Sequence, residues 1–144
     1  MTETILVSTI ADDADPAFAD AKSQVLDWLD QHAVAVGVVF DSKPFALTAT
    51  RAGNTLGGLI GSTNLGWLHV QLLAVAPEAR NQGVGRALLT AAENLARNRG
   101  CHAAWLDTYD HQGPDYYPRL GWAKFGELED FPMGGVRWFY RKAL

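Results

Sequence analysis

The chain has 144 residues, 48% of them hydrophobic, enough for one well-covered core without cross-links. Its formal net charge of −4 excludes the lysine and arginine surplus with which a nucleic-acid surface displaces phosphate counterions, and slightly favours a cationic partner such as an amine. The lone cysteine, Cys101, excludes an internal disulfide and a cysteine-pair zinc site; with no apolar run near the roughly 20 residues of a bilayer span and no signal-peptide order at the start, the expectation is a single cytoplasmic domain over residues 1–144 with no membrane partner.

Glu3 to Ile10 reads as a short β-branched strand, and Asp15-Pro16 as a helix opening, a cap followed by a proline that needs no hydrogen bond in the first turn. Phe18, Ala21, Val25, Trp28 and Leu29 then recur at helical spacing. Val34 to Phe40 fits a buried strand or a second short helix, and periodicity leaves the choice open. Phe45 to Thr50 and Leu56 to Ser62 read as a hairpin around Gly53-Asn54, followed by a turn at Asn64 to Gly66 and a long apolar strand from Trp67 to Val75.

The most secure helix starts near Val84, with Leu88, Ala91, Ala92 and Leu95 on one face, Glu93 and Arg97 paired on the other, and Gly100 at the left-handed end. Ala103 to Tyr109 is predicted as a strand and Pro114 to Leu120 as a short helix ended by Gly121. Trp122 to Glu129 and Val136 to Lys142 close the chain as a hairpin. The order βαβββαβαββ predicts a mixed α/β (α+β) sheet flanked by helices.

Between the strand ending at Val75 and the helix at Val84 lies a loop ending in Arg80-Asn81-Gln82-Gly83-Val84-Gly85-Arg86. A helix opening carries unpartnered N–H groups and the positive end of the helix dipole, so it attracts phosphate. Gly83 and Gly85 allow close approach, and Arg80 and Arg86 add positive charge. A ligand-free account, in which Asn81 caps the helix and the glycines ease a turn, fits the same residues. Other nucleotide motifs fail on spacing: a dinucleotide loop wants a glycine where Leu88 stands, and the Gly-Lys-Ser/Thr end of a P-loop is absent.

Leu73-Ala74-Val75-Ala76-Pro77, Arg80-x-x-Gly83-x-Gly85 and Ala87-Leu88-Leu89 together resemble the acyl-CoA-binding signature of the GNAT superfamily of N-acetyltransferases. Tyr116-Tyr117-Pro118-Arg119-Leu120-Gly121-Trp122 is similar to its second signature. The resemblance covers the chain from about Trp67 onward. It implies a GNAT-like, mostly antiparallel sheet of about seven strands with helices on both faces, in which the Val75 strand splays from the Asp107 strand and the pantetheine arm of acetyl-CoA lies in the gap. It also implies that Leu73, Ala74 and Val75 pair with that arm, that a strand bulge turns a backbone N–H toward the thioester oxygen, and that the amides of Asn81, Gln82, Gly83, Val84, Gly85 and Arg86 hold the pyrophosphate, beside Arg80. Asp110 falls where the family often has a cofactor-contacting Asn.

By the same resemblance Tyr117 donates a hydrogen bond to the departing thiolate and contacts the cofactor. The competing reading packs Tyr117 in the core and gives the role to Tyr116. Pro118, interior to the predicted helix, calls for a late or distorted helix start. The family's usual carboxylate base corresponds to Gln71, which cannot accept a proton, whereas His69, two residues earlier on the strand, has a reference pKa of about 6.5 that suits a base; a partly buried structural histidine is the alternative. Asp107, Asp110, His111, Glu127, Glu129 and Asp130 read as a polar rim, with Glu127 and Glu129 facing Arg137 or Arg141 across the hairpin. The four histidines lack metal-ligand spacing, so no metal is expected.

These readings converge on direct acetyl transfer from acetyl-CoA to a primary amine, on a small molecule or peptide. Gln71 motivates an alternative, an acyl-CoA-binding sensor or interaction module without catalysis. The aromatic carboxyl-terminal hairpin, with Trp138, Phe139 and Tyr140, leaves a homodimer open.

Overall fold

The computed structural model describes residues 3–112 and 115–144. The chain divides into two compact units, Met1–Phe40 and Asp41–Leu144.

In the first unit the predicted strand over residues 3–10 does not form; these residues adopt no regular element. β-propensity is realised only against a packed neighbouring strand, and propensity was the only argument for this one. Helix α1, Pro16–Ala35, begins where Asp15 accepts a hydrogen bond from Ala17 N at 2.9 Å. It ends in a Schellman motif: Val38 N donates to Ala33 O and Gly37 N to Val34 O, with Gly37 at φ +80°. Val34 to Phe40 is therefore neither strand nor second helix, because its first two residues finish α1 and the next ones form its cap.

The second unit is a six-stranded sheet rather than seven, in the order β1-β2-β3-β4-β6-β5. Its strands are β1 (Lys43–Arg51), β2 (Asn54–Asn64), β3 (Trp67–Val75), β4 (Ala103–Tyr109), β5 (Ala123–Glu129) and β6 (Val136–Ala143). All pairings are antiparallel except β3 with β4. The tight reversals at Ala52-Gly53 and Leu65-Gly66 put both turn residues at positive φ, the geometry that matches strand twist.

Helix α2, Val84–Asn98, crosses from β3 to β4, and the one-turn α3, Tyr116–Arg119, precedes β5. Both meet one core, in which Leu59, Leu68, Leu89 and Leu106 are fully buried and against which Tyr117 and Leu120 pack. Within this unit the two helices thus share one face of the sheet. Close packing of α2 requires Gly57: a Cβ there would lie 2.8 Å from Ala74 O and 3.1 Å from Val84 Cγ1. Glu93 on α2 is buried and ion-paired to Lys142 Nζ at 2.7 Å.

The predicted start of the third helix at Pro114 lies outside the described residues. Because α3 begins at Tyr116, Pro118 occupies its first turn, where no intrahelical N–H bond is lost, and the proline fits without distortion.

Candidate active site

Two irregularities of β3 coincide. Against β2, Ile60 pairs with Leu72 and Gly61 with Val70, so Gln71 is an extra, unpaired residue and forms a bulge. Against β4, the parallel ladder runs only from Trp67–Ala103 to Val70–Leu106. From Gln71 to Val75 the side of β3 facing β4 therefore has no strand partner, which opens a cleft lined by backbone. The bulge also restores side-chain parity. Leu68 and Val70 are buried before it, Leu73 and Val75 pack on the same core after it, and Gln71, Leu72 and Ala74 are exposed.

The cleft leads to the start of α2. The N-cap residue is Gly83, at φ +80°, and no side chain caps the helix, so Asn81 does not play the capping part that a ligand-free loop would give it. Asn81 is itself left-handed, at φ +61°. The loop is instead held from outside. Gln82 Oε1 accepts from Arg51 Nη1 at 2.8 Å and Gln82 Nε2 donates to Glu78 O at 3.1 Å, tying the loop to β1 and to the 3-10 turn Pro77–Ala79. No atom lies within 4 Å of a Cβ built on Gly83, whereas one on Gly85 would sit 2.8 Å from Tyr116 Oη. The exposed side chains of Arg80 and Arg86 stand on either side. The result is a set of unshielded helix N–H groups with positive charge nearby, a cradle for an anion.

Tyr117 packs edge-on against Tyr116 and Trp122, at ring separations of 5.4 and 6.3 Å, and 5.8 Å from Tyr140. Burial, with smaller contributions from Tyr116 and the Asp107 charge, pushes its pKa up to about 12. The phenol therefore remains a hydrogen-bond donor throughout the neutral range. Tyr116 is the ring that reaches the cradle: burial raises its pKa and the Arg86 charge opposes the rise. The two tyrosines thus occupy different stations, one at the start of α2 and one against the core.

On the opposite sheet face His69 stacks on Trp105 at 3.7 Å with only 6° between the ring planes. Burial lowers the His69 pKa below its ordinary value, partly offset by the Asp107 carboxylate. Its imidazole is thus neutral at pH 7 and able to accept a proton. Ser42, Ser62, Asn64, Trp67, His69 and Trp105 line a cavity of about 210 Å³ on this face.

Asp110 holds the loop between β5 and β6. Its Oδ2 accepts from Val136 N at 3.2 Å and its Oδ1 lies 3.9 Å from His111 Nδ1, so it anchors the β5–β6 loop. Glu127 pairs with Lys124 at 2.8 Å instead of reaching Arg137 or Arg141. Arg137 takes Asp107, Nε to Oδ2 at 2.6 Å. From the sequence alone Asp107 belongs to a polar rim, with nothing to join it to Arg137. The usable signal was alternation: Trp105, Asp107 and Tyr109 share one face of β4, as Arg137 and Phe139 do on β6. Among the described residues no group of three or more His, Cys, Asp or Glu side chains is arranged to hold a metal ion. No described helix is long and apolar enough to cross a membrane.

A splayed parallel pair, a bulge at the splay and a glycine-opened helix beneath it define a mixed α/β acyl-transfer scaffold. The chain belongs to the acetyltransferase (GNAT) family, whose sequence profile matches residues 7–122. It is 35% identical over 131 residues to acetyltransferase Atu2258 of Agrobacterium fabrum, covering 90% of this chain and 96% of that one. It is 38% identical over 101 residues to the blasticidin-S acetyltransferase of Streptomyces morookaense, covering 67% and 74%. A crystal structure of an Agrobacterium tumefaciens protein aligns over 99% of this chain and 100% of its own, with a TM-score of 0.79 and 32% identity.

Proposed function

We propose that the protein transfers the acetyl group of acetyl-CoA directly to a primary amine. The observation that carries this reading is the coincidence of the Gln71 bulge with the end of the β3–β4 ladder, directly upstream of the uncapped start of α2. Such a cleft suits an extended pantetheine arm alongside Leu73, Ala74 and Val75. The cradle formed by the backbone of residues 81–86, with Arg80 and Arg86, suits its pyrophosphate.

In the reaction the lone pair of an uncharged amine attacks the thioester carbon, the C–S bond breaks, and the nitrogen loses a proton as the amide forms. In this reading a backbone N–H at the bulge stabilises the oxyanion. Tyr117 donates a hydrogen bond to the departing sulfur. With a pKa of about 12 it gives no full proton to a thiolate of reference pKa about 8.5, so solvent completes that protonation. His69 takes the proton from the amine, directly or through water. Gln71 contributes its backbone only, because its amide side chain cannot serve as a base.

The acceptor class follows the family, whose relatives include a blasticidin-S acetyltransferase. Release of free thiol from acetyl-CoA in the presence of an amine panel, together with calorimetry of CoA binding, tests the proposal. CoA binding with amine-dependent thiol release is expected; binding without turnover on any amine would point to a sensor instead. Gly83→Glu, which places a carboxylate in the cradle, should abolish CoA binding.

A further inference from the structure

Asp107 is the first residue of β4 beyond its last rung with β3, so it stands at the edge of the cleft, two residues along the same face from Trp105 and the stacked His69. Its side chain is 16% exposed. Oδ2 is bound to Arg137 Nε, and among the described residues nothing donates to Oδ1.

Arg137 is held with unusual rigour. Its guanidinium carbon lies 4.8 Å from the centre of the Phe131 ring, 5.4 Å from Tyr109 and 5.5 Å from Phe139. Rings beside a guanidinium favour its cationic faces and leave its N–H edge as the outlet for hydrogen bonding. One position on that edge, Nε, serves Asp107. The Nη1 and Nη2 groups donate to no described residue, although the side chain is only 27% exposed. Here a carboxylate oxygen and a planar two-pronged donor remain, fixed relative to each other.

We infer that the Asp107–Arg137 pair is a receptor for an amine that carries a carboxylate: the ammonium first loses its extra proton to solvent, Asp107 Oδ1 takes an N–H of the resulting free amine, and the Nη edge of Arg137 takes the carboxylate of the same molecule. The acceptors are then amines with a neighbouring carboxylate, the pattern of an α-amino acid. The inference rests on the transferase reading for its setting, and it explains why a clamped pair of no net charge stands beside the group that would deprotonate the amine. Asp107 and Arg137 are specificity-determining residues, and His69 is the base next to them.

The test uses matched probes: L-phenylalanine, L-phenylalaninamide and phenethylamine, then L-lysine, L-lysinamide and cadaverine, each assayed for thiol release from acetyl-CoA and for binding to the CoA-loaded protein by calorimetry. For the wild type, kcat/KM and affinity should favour the amino acid over its amide and its decarboxylated amine by about tenfold or more, as expected for a charge-assisted pair. Arg137→Gln should erase that preference, and Arg137→Lys, which keeps the charge without the fork, should restore only part of it. Asp107→Asn should raise KM for every amine while KM for acetyl-CoA stays within about twofold. Circular dichroism on each variant separates loss of preference from loss of fold.

Amides or simple amines used as well as the amino acids would overturn the receptor and leave the transferase standing. Amino-acid binding that depends on Arg137, without thiol release from any probe, would keep the receptor and overturn the transferase. Failure of every amino acid to bind would overturn the receptor.

Discussion

Val70 and Leu106 form the last rung of the parallel ladder between β3 and β4, and the bulge residue Gln71 follows at once. Removing Gln71 should isolate the value of that arrangement. The pairs Gly61–Val70 and Ile60–Leu72 become successive in a regular register, and Leu73 and Val75 keep facing the core. The deletion should therefore fold, with a thermal midpoint close to wild type by calorimetry, while β3 is freed to continue alongside β4. CoA affinity should fall by about tenfold or more, and turnover should fall further with the loss of the bulge N–H, for which a single oxyanion donor is worth about 10²-fold or more.

Tyr117→Phe should lower kcat by about 10²-fold with acetyl-CoA affinity nearly unchanged, because the ring packing survives and only the donor is lost. The same variant carries a stability signature. With the folded pKa raised from 10 to about 12, the phenol's contribution is complete below pH 10 and is lost as pH rises from 10 through 12. A two-unit shift corresponds to about 2–3 kcal/mol. Denaturant titrations at pH 9 and 11.5 should show a smaller loss for the phenylalanine variant than for wild type.

His69 runs with the opposite sign. Its folded pKa is depressed, so its contribution is present above pH 6.5 and lost as pH falls through 6.5 toward the lower folded value. The acid limb of kcat/KM should titrate in that same window, below the ordinary histidine value. In His69→Gln that limb should vanish and the rate near pH 7.5 should fall by about 10²-fold. An unchanged acid limb in the variant would assign it to another group.

Lys142→Ala leaves the buried Glu93 carboxylate with Arg97 at 4.0 Å as its remaining ion-pair partner among the described residues. Loss of one partner from such a pair should cost about 3 kcal/mol in urea unfolding. CoA affinity should change little, since the Gly83 loop is held through Gln82 by Arg51 and Glu78 rather than by Lys142. Lys142→Ala combined with Glu93→Gln should recover part of the loss.

What the sequence made legible follows from the range of each interaction. Helix α2, its glycine terminator and the loop before it are written in adjacent residues, and the structure reproduces them nearly to the residue. The Gln71 bulge is not legible in this way. Trp67 to Val75 is one apolar run, and the register slip arises from which residues of β2 oppose it. Asp107 and Arg137 stand 30 positions apart and meet only because β4 and β6 pair. The short third helix was legible except for its start, where Pro118 already argued for a later beginning. The strand over residues 3–10 rested on propensity alone, and nothing local demanded a partner for it.

The glycine at the head of α2 has a thermodynamic consequence. A first turn without a side-chain cap is an incomplete structure, and under the proposed function the bound phosphates supply the missing acceptors. Occupancy and local order are then one equilibrium, in which the amides of residues 84–86 exchange with solvent at a rate set by the free ligand concentration. The whole fold gains RT ln(1 + [L]/Kd) in stability as the ligand accumulates. The protein's persistence would thus follow the supply of its own acyl donor.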